Sequence, residues 1–288
     1  MNNVLLEVKD LETSLKINNE WLATVENISF ELSKGEVLGI VGESGCGKSI
    51  LSKSIIKLLP EKISKLSSGE VIFDGKRIDT LNEKQLLDIR GNDIAMIFQE
   101  PMTALNPVFT IKNQLVESIK SHKKISKKEA NNLAKDLLKK VGIARQDEIL
   151  NSYPHQLSGG MRQRVMIAMA ISCSPKLLIA DEPTTALDVT IQAQILDLLK
   201  ELQKETQMAI MMITHDLSVV AEFCDKVLVM YAGQIVEFGG IKEILHNPKH
   251  PYTQKLLSTI PKLKEGQKRL ETIEGIVPSI QAFHVNKC

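Results

Sequence analysis

The sequence lacks any apolar stretch that approaches the roughly 20 residues needed to span a bilayer, and no signal peptide opens it. An excess of charge is missing too, because 36 Lys and Arg residues face 35 Asp and Glu residues, for a formal net charge of +1. The first absence argues against a membrane-spanning chain. The balanced charge gives no electrostatic case for binding nucleic acid.

Cysteine is scarce as well, and the four cysteines are scattered along the chain at Cys46, Cys173, Cys224 and Cys288. Nothing in their spacing suggests a disulfide framework, which agrees with a reducing cytoplasm. The sequence also shows no internal repeat and no low-complexity segment. Its 288 residues are enough to bury a full hydrophobic core and are long for one domain.

The most informative feature that is present is the string GESGCGKS at Gly42–Ser49. An apolar run (Val37–Val41) precedes it and a helical pattern (Ile50–Leu59) follows, which is the strand–loop–helix context that a P-loop needs. Its glycines let successive N–H groups face an anion, and the helix adds the positive end of its dipole. We predict that Lys48 reaches the β- and γ-phosphates of a nucleoside triphosphate and that Ser49 ligates Mg²⁺. The predicted nucleotide-binding residues are Gly42, Glu43, Ser44, Gly45, Cys46, Gly47, Lys48, Ser49 and Ile50.

A second glycine-containing string, LSGGMRQR, occupies Leu157–Arg164. Ser158 is predicted to cap a helix that continues through Met161–Ile171, while Gly159 and Gly160 keep the backbone bare for close approach to a phosphate. A plainer alternative is a glycine turn before an amphipathic helix. The string resembles the signature sequence of ABC-transporter ATPases, which few other P-loop proteins carry.

Two adjacent acids end the apolar run in LLIADEP at Leu177–Pro183. This pattern is expected of a buried strand whose end emerges at the nucleotide. We predict that Asp181 holds Mg²⁺, directly or through water, and that Glu182 polarises the attacking water as general base.

Three further residues match the ABC-transporter ATPases by resemblance. Gln99, after an apolar run, resembles the Q-loop glutamine; Asp188, at the end of TALD, resembles the D-loop aspartate; and His215, after the apolar run Met208–Ile213, resembles the switch histidine. A lone histidine after a strand is more often structural, but the joint order of these residues matches the family. The resemblance implies a catalytic set of Glu182, His215, Gln99 and Lys48, and a Mg²⁺ set of Ser49, Gln99 and Asp181.

The resemblance implies an α/β fold, a P-loop NTPase with a RecA-like mixed sheet, an antiparallel β subdomain and an inserted helical subdomain. Alternating runs at Val4–Val8, Ile28–Leu32 and Val71–Phe73 predict the antiparallel ribbons, with an Asp74–Gly75 turn. Helical periodicity runs from Pro101 to about Leu157. We expect an ATPase domain over residues 1–245, with the helical subdomain at about 101–165, and a C-terminal extension over residues 246–288.

Two more elements are predicted near the end of this domain. An amphipathic helix follows Asp188, and a hairpin, with strands Val227–Met230 and Gln234–Phe238 around Ala232–Gly233, closes the core. The apolar stripe of the helix consists of Ile191, Ile195, Leu198, Leu199 and Leu202.

In the ABC family each ATP lies between the P-loop of one domain and the signature string of another. This chain carries one copy of each string, so the resemblance implies a second ATPase subunit, identical or related. Ser158, Gly159 and Gly160 would then contact the γ-phosphate of the partner's ATP. ATP would favour the closed dimer, and hydrolysis would remove that preference.

The C-terminal string NPKHPYTQKLLSTIP (Asn247–Pro261) and the later GIVPS (Gly275–Ser279) resemble the extension of dipeptide, oligopeptide and nickel importer ATPases. Glu100–Thr110 resembles the region where importer ATPases cradle a permease helix. The resemblance implies an ATP-hydrolysing subunit, peripheral on the cytoplasmic face of the membrane, with two permease subunits and an extracellular binding protein as partners. The alternatives are the ATPase of another ABC class, such as an exporter, and a non-transport ABC module; a second P-loop or a long heptad insert, which such modules carry, is absent.

The sequence departs from the importer pattern at two points. Members often continue into a cysteine-rich end that holds an iron–sulfur cluster; this chain stops at Cys288, so no cluster is expected from it. The family stacks adenine on an aromatic residue ahead of the P-loop, but Leu15 occupies that position here. Trp21 is the nearby aromatic residue, and a packing role is the favoured reading for it.

Overall fold

Ten strands and eleven α-helices lie in residues 3–185 and 187–258, which are the residues that this computed structural model describes. The strands are β1 (Val4–Ile17), β2 (Glu20–Ser33), β3 (Val37–Val41), β4 (Ser64–Phe73), β5 (Lys76–Arg77), β6 (Ile94–Ile97), β7 (Leu177–Asp181), β8 (Ala209–Ile213), β9 (Lys226–Tyr231) and β10 (Gln234–Gly240). The helices are α1 (Lys48–Ile55), α2 (Glu83–Ile89), α3 (Pro101–Ala104), α4 (Ile111–His122), α5 (Lys127–Lys140), α6 (Gln146–Asn151), α7 (Gly159–Ala170), α8 (Val189–Thr206), α9 (Leu217–Phe223), α10 (Ile241–His246) and α11 (Pro251–Ser258).

The chain divides into two compact units, which we call the P-loop unit (residues 3–81 and 211–258) and the signature unit (residues 82–210). The P-loop unit contains an antiparallel sheet in the order β2-β1-β4-β5. The predicted ribbons Val4–Val8 and Ile28–Leu32 are only the ends of two strands of 14 residues each, paired in one hairpin. Repeated register shifts interrupt the alternation of buried and exposed residues, so the sequence pattern underestimated both lengths.

A second group of strands in the P-loop unit has mixed directions. β3 pairs with β9 in parallel, and β9 pairs with β10 antiparallel. All five residues of Val37–Val41 are buried, as the continuous apolar run predicted. The predicted hairpin is confirmed too, with Ala232 and Gly233 at φ of 46° and 83° in its turn.

Helix α1 is shorter than the helical pattern Ile50–Leu59 predicted, because it ends at Ile55. Lys57 adopts a left-handed φ of 51°, and two backbone bonds close the end of the helix: Leu58 N donates to Lys53 O at 2.8 Å and Lys57 N donates to Ser54 O at 3.0 Å. This is a Schellman motif, built here without the usual glycine. The apolar residues that extended the predicted helix lie beyond its true end.

The signature unit contains the parallel pair β6 and β7 and helices α2–α8. The predicted helical stretch from Pro101 is confirmed as four successive helices, α3 to α6. In α8 the predicted stripe is buried at Ile195, Leu198, Leu199 and Leu202, and Ile191 is half-buried. The apolar spacing therefore identified the helix face that packs against the core.

The end of the described chain follows β10. Helix α10 ends at His246, where the predicted extension begins, and α11 lies within that extension, while Gly275–Ser279 and Cys288 lie outside the described residues. None of the described helices combines the length and the apolar character that crossing a bilayer requires.

Candidate functional site

The P-loop connects β3 to α1 in a conformation that glycine permits. Gly42, Gly45 and Gly47 have φ of 154°, 84° and 104°. A Cβ atom at Gly42 would lie 2.3 Å from the carbonyl oxygen of Met230, which is backbone and cannot move aside cheaply. The loop is therefore a turn that only glycine can form, ending at the first turn of a helix, where bare N–H groups suit a phosphate group.

Lys48, the first residue of α1, is only 5% exposed. Its Nζ donates to the carbonyl oxygens of Gly42 at 2.7 Å and Glu43 at 2.9 Å. These contacts hold the ammonium group inside the curve of the loop, where it fits a phosphate ligand. Ser49, the next residue, is half-buried in the first turn of the same helix.

Cys46 lies beneath the loop, with its Sγ 3.8 Å from Lys48 Nζ. Burial raises the pKa of the Cys46 thiol, even though the neighbouring ammonium group acts in the opposite direction. The thiol is thus neutral at physiological pH. It does not compete with a phosphate for the charge of Lys48.

The acidic pair lies at the end of β7 in the signature unit. Asp181 is 3% exposed at the strand end, which suits a carboxylate oxygen that ligates a hard cation such as Mg²⁺. Glu182 follows with a left-handed φ of 47°, a conformation that non-glycine residues rarely adopt. A backbone outlier of this kind is typical of a functional position.

Gln99 lies next to Glu182, as its Nε2 donates to Glu182 Oε2 at 2.9 Å. Thr185 Oγ1 donates to the same oxygen, also at 2.9 Å. The structure therefore brings together two residues that the sequence could only assign separately. It also adds Thr185, which begins the TALD string and was not predicted to contact Glu182. The hydroxyl three residues after Glu182 was the sequence feature that could have indicated this contact.

The signature string begins α7 as predicted. Ser158 is the N-cap, and its Oγ accepts a hydrogen bond from Met161 N at 3.3 Å. Ser158 and Gly159 are exposed, so both are available to a partner. Gly160 has a second reason to be glycine, because a Cβ there would lie 2.8 Å from Cγ2 of Ile191 on α8.

The remaining candidates occupy loop and cap positions. Asp188 caps α8, accepting from Ile191 N at 3.0 Å. His215 is exposed just after β8 in the P-loop unit. Trp21 is 41% exposed, with Lys65 Nζ 4.8 Å from its ring centroid, and Leu15 is half-buried. The packing role favoured for Trp21 stays a prediction.

Comparisons with known proteins place these features in a family. The sequence profile of the family described as "ABC transporter" matches residues 25–185, and that of the "oligopeptide/dipeptide transporter, C-terminal region" matches residues 236–288. The chain is 52% identical over 277 residues to the oligopeptide transport ATP-binding protein OppD of Bacillus subtilis (96% of this chain, 77% of that protein). It is 52% identical over 274 residues to the dipeptide transport ATP-binding protein DppD of Haemophilus influenzae (95% and 83%).

Solved structures agree with the fold. A dimeric structure of the ATP-binding cassette MJ0796, in a post-hydrolysis state bound to ADP and Pi, matches with a TM-score of 0.74 and 28% identity, covering 82% of this chain and 99% of that one. The structure of cbiO1 from Clostridium perfringens, part of an ABC transporter complex, matches with a TM-score of 0.72 and 30% identity, covering 85% and 92%. The predicted fold class is confirmed, and cassettes of this kind form dimers and hydrolyse ATP. The chain belongs to the ATP-binding proteins of ABC transporters, in the group that carries the oligopeptide/dipeptide C-terminal region.

Proposed function

We propose that this chain is the ATP-hydrolysing subunit of an ABC importer that carries peptides into the cell. The observation that carries the proposal is the identity of about 50% to peptide-transport ATP-binding proteins over nearly the whole chain, including the C-terminal region. The family that matches this region is described as oligopeptide and dipeptide transporters, which favours peptides over nickel as the cargo.

The catalytic assignment follows from the residues described above. Lys48 neutralises charge that develops on the γ-phosphate, and His215 positions that phosphate and the attacking water. Glu182 accepts the proton of the water as its oxygen attacks the γ-phosphorus; the bond to the bridging oxygen of ADP breaks, and phosphate leaves. Gln99 orients Glu182 through their contact of 2.9 Å.

The proposed Mg²⁺ ligands are the carboxylate of Asp181, which is buried at the end of β7, and the oxygens of Ser49 and Gln99; Mg²⁺ would neutralise phosphate charge when bound. Ser158, Gly159 and Gly160 serve the ATP of a second ATPase subunit, identical or related; the exposure of Ser158 and Gly159 at the start of α7 supports this role. Asp188, in the D-loop, belongs to the same proposed contact between the two ATPase subunits.

The surface around α3 and α4 supports a membrane partner. Met102, Val108 and Phe109 are 50%, 70% and 48% exposed, an unusual density of open apolar side chains. Phe109 also lines, together with Val116, an open groove of about 610 Å³. We propose that the transporter contains two permease subunits and that a short permease helix inserts at this surface of each ATPase subunit. This contact would hold the chain at the cytoplasmic face of the membrane.

Reconstitution tests this function. The chain is purified with its two permease subunits in liposomes, and ATP hydrolysis is measured with the extracellular binding protein, loaded with peptide or with Ni²⁺. We expect stimulation of hydrolysis with peptide-loaded binding protein and uptake of labelled peptide. Stimulation only by the binding protein loaded with Ni²⁺ would show that the cargo is nickel. Association with ribosomes in place of permeases would overturn the importer assignment.

A further inference from the structure

The start of α11 is fastened to β10 by a single carboxylate. The backbone N–H groups of Lys249 and His250 donate to Glu237 Oε1 at 2.7 Å and Oε2 at 3.1 Å. Tyr252 N then donates to His250 Nδ1 at 3.2 Å. These contacts fix the first turn of α11 within the P-loop unit, and with it the direction of the Tyr252 side chain.

Tyr252 reaches the P-loop. Its ring packs on Tyr231 with centroids 4.7 Å apart, and its hydroxyl oxygen accepts a hydrogen bond from Glu43 N at 3.0 Å. Burial raises the pKa of Tyr252 to about 12, so the hydroxyl keeps its proton at neutral pH. A neutral acceptor thus touches the loop without adding negative charge near a phosphate site.

The N–H of Glu43 and the carbonyl of Gly42 belong to one peptide group. Lys48 Nζ donates to that carbonyl at 2.7 Å, while Tyr252 accepts from its N–H at 3.0 Å. The two side chains therefore hold opposite ends of the same peptide plane. Gly42, with a φ of 154°, has no Cβ to restrict rotation of this plane, so its orientation depends on the groups that hold it.

We propose that Tyr252 is a positioning residue of the nucleotide site: it holds the Gly42–Glu43 peptide so that Lys48 and the loop stay arranged for phosphate. This inference rests on the proposed binding of nucleotide by the P-loop. It gives a physical role to the C-terminal region shared with oligopeptide and dipeptide transporters, which matches from residue 236 onward. The region becomes part of the ATP site rather than an appendage to it.

The test compares Tyr252→Phe with Tyr231→Phe in the full chain. Each variant loses one hydroxyl from the same ring pair, but only the first loses the contact with Glu43. We expect the Kd for MgADP to rise about three- to tenfold in Tyr252→Phe, as for one lost hydrogen bond, and to stay within twofold in Tyr231→Phe. KM for ATP should rise in parallel while kcat changes less than twofold, because Tyr252 does not touch the reacting atoms.

The unfolding temperature without nucleotide separates positioning from general stability. We expect it to differ between the two variants by no more than about 3 °C. Equal MgADP affinity in Tyr252→Phe and the unchanged chain would overturn the inference, and so would equal losses in both variants. If the unchanged chain bound MgADP no better than Lys48→Ala, the proposed nucleotide site would fail as well, a result distinct from the other two.

Discussion

Gln99 and Glu182 are 83 residues apart in sequence, yet Gln99 Nε2 donates to Glu182 Oε2 at 2.9 Å. Thr185 Oγ1 converges on the same oxygen, so two donors fix one side of the carboxylate. The backbone of Glu182 is left-handed, which costs on the order of 1–3 kcal/mol for a residue with a side chain. The surroundings therefore hold this glutamate in a conformation that it would not adopt alone, which agrees with the general base proposed here.

Substituting the donor of that contact tests its role. Gln99→Ala should lower kcat about ten- to hundredfold, because a base that is displaced by about 1 Å loses much of its effect. ADP affinity measured without Mg²⁺ should change less than twofold, since Gln99 does not belong to the P-loop.

The matched control for Gln99→Ala is Gln85→Ala. Gln85 is another exposed glutamine of the signature unit, and its side chain forms the capping box of α2 with Asn82. This control should lose up to about 1 kcal/mol of stability but keep its turnover. Equal turnover in both variants would contradict a role for Gln99 in orienting the base.

Removing the carboxylate of Glu182, the proposed base, should separate nucleotide binding from hydrolysis. Glu182→Gln should keep ATP binding, slow hydrolysis roughly 100- to 10,000-fold, and accumulate a closed dimer with ATP. Phosphate release and small-angle scattering measure the two effects. Glu201→Gln, an exposed position of α8, serves as the control; near-normal turnover in Glu182→Gln would show that the assigned base is wrong.

The proposed sharing of each ATP site between two subunits leads to a further prediction. Ser158→Arg should block turnover, because a bulky cation at the exposed start of α7 prevents close approach to the ATP of a partner. Nucleotide binding to the isolated chain should remain. Ser126→Arg is the matched control, since Ser126 also caps a helix, α5, through its side chain.

Both arginine variants should lose about 1 kcal/mol of stability with the lost cap. Only Ser158→Arg should lose ATPase activity, measured at a protein concentration that supports the dimer. Parallel losses of turnover and of monomeric binding in Ser158→Arg would count against a composite site.

Acid should loosen the attachment of α11. Burial alone would raise the pKa of Glu237, but the contacts from Lys249, Thr253 and His250 together outweigh it and hold that pKa below its ordinary value of 4.5. The contribution of this carboxylate to stability is therefore complete above pH 4.5 and is lost as the pH falls through its lower folded value.

This attachment is measured by the protection of the Lys249, His250 and Tyr252 amides against hydrogen exchange, relative to an unstructured chain at the same pH. Protection should be strong at neutral pH and should fall below pH 4.5, while Glu237→Gln should be less protected at neutral pH already. Glu243→Gln removes only the exposed ion pair with the Lys249 side chain and should leave the exchange unchanged. Protection that is independent of both pH and Glu237 would show that another contact holds α11.

Several elements could be predicted from the sequence because their cause is local. The strand before the P-loop is a run of five buried apolar residues, the signature serine sits where a helix must begin, and α8 repeats its apolar residues at helical spacing. The prediction for α1 was too long because apolar spacing continued past Ile55, whereas its end depends on the left-handed turn at Lys57. The lengths of β1 and β2 were underestimated because register shifts between paired strands leave no regular period.

By itself, the sequence determined which residues can turn tightly, begin a helix or carry the charge that phosphate chemistry needs, since these properties belong to a residue and its near neighbours. Only the tertiary structure decided that Gln99 meets Glu182, and that Tyr252, 209 residues away, accepts the N–H of Glu43. Such contacts depend on how strands and helices far apart in the chain come to lie beside each other. No local pattern records that arrangement, because it follows from packing of the whole core rather than from the conformation of any one segment.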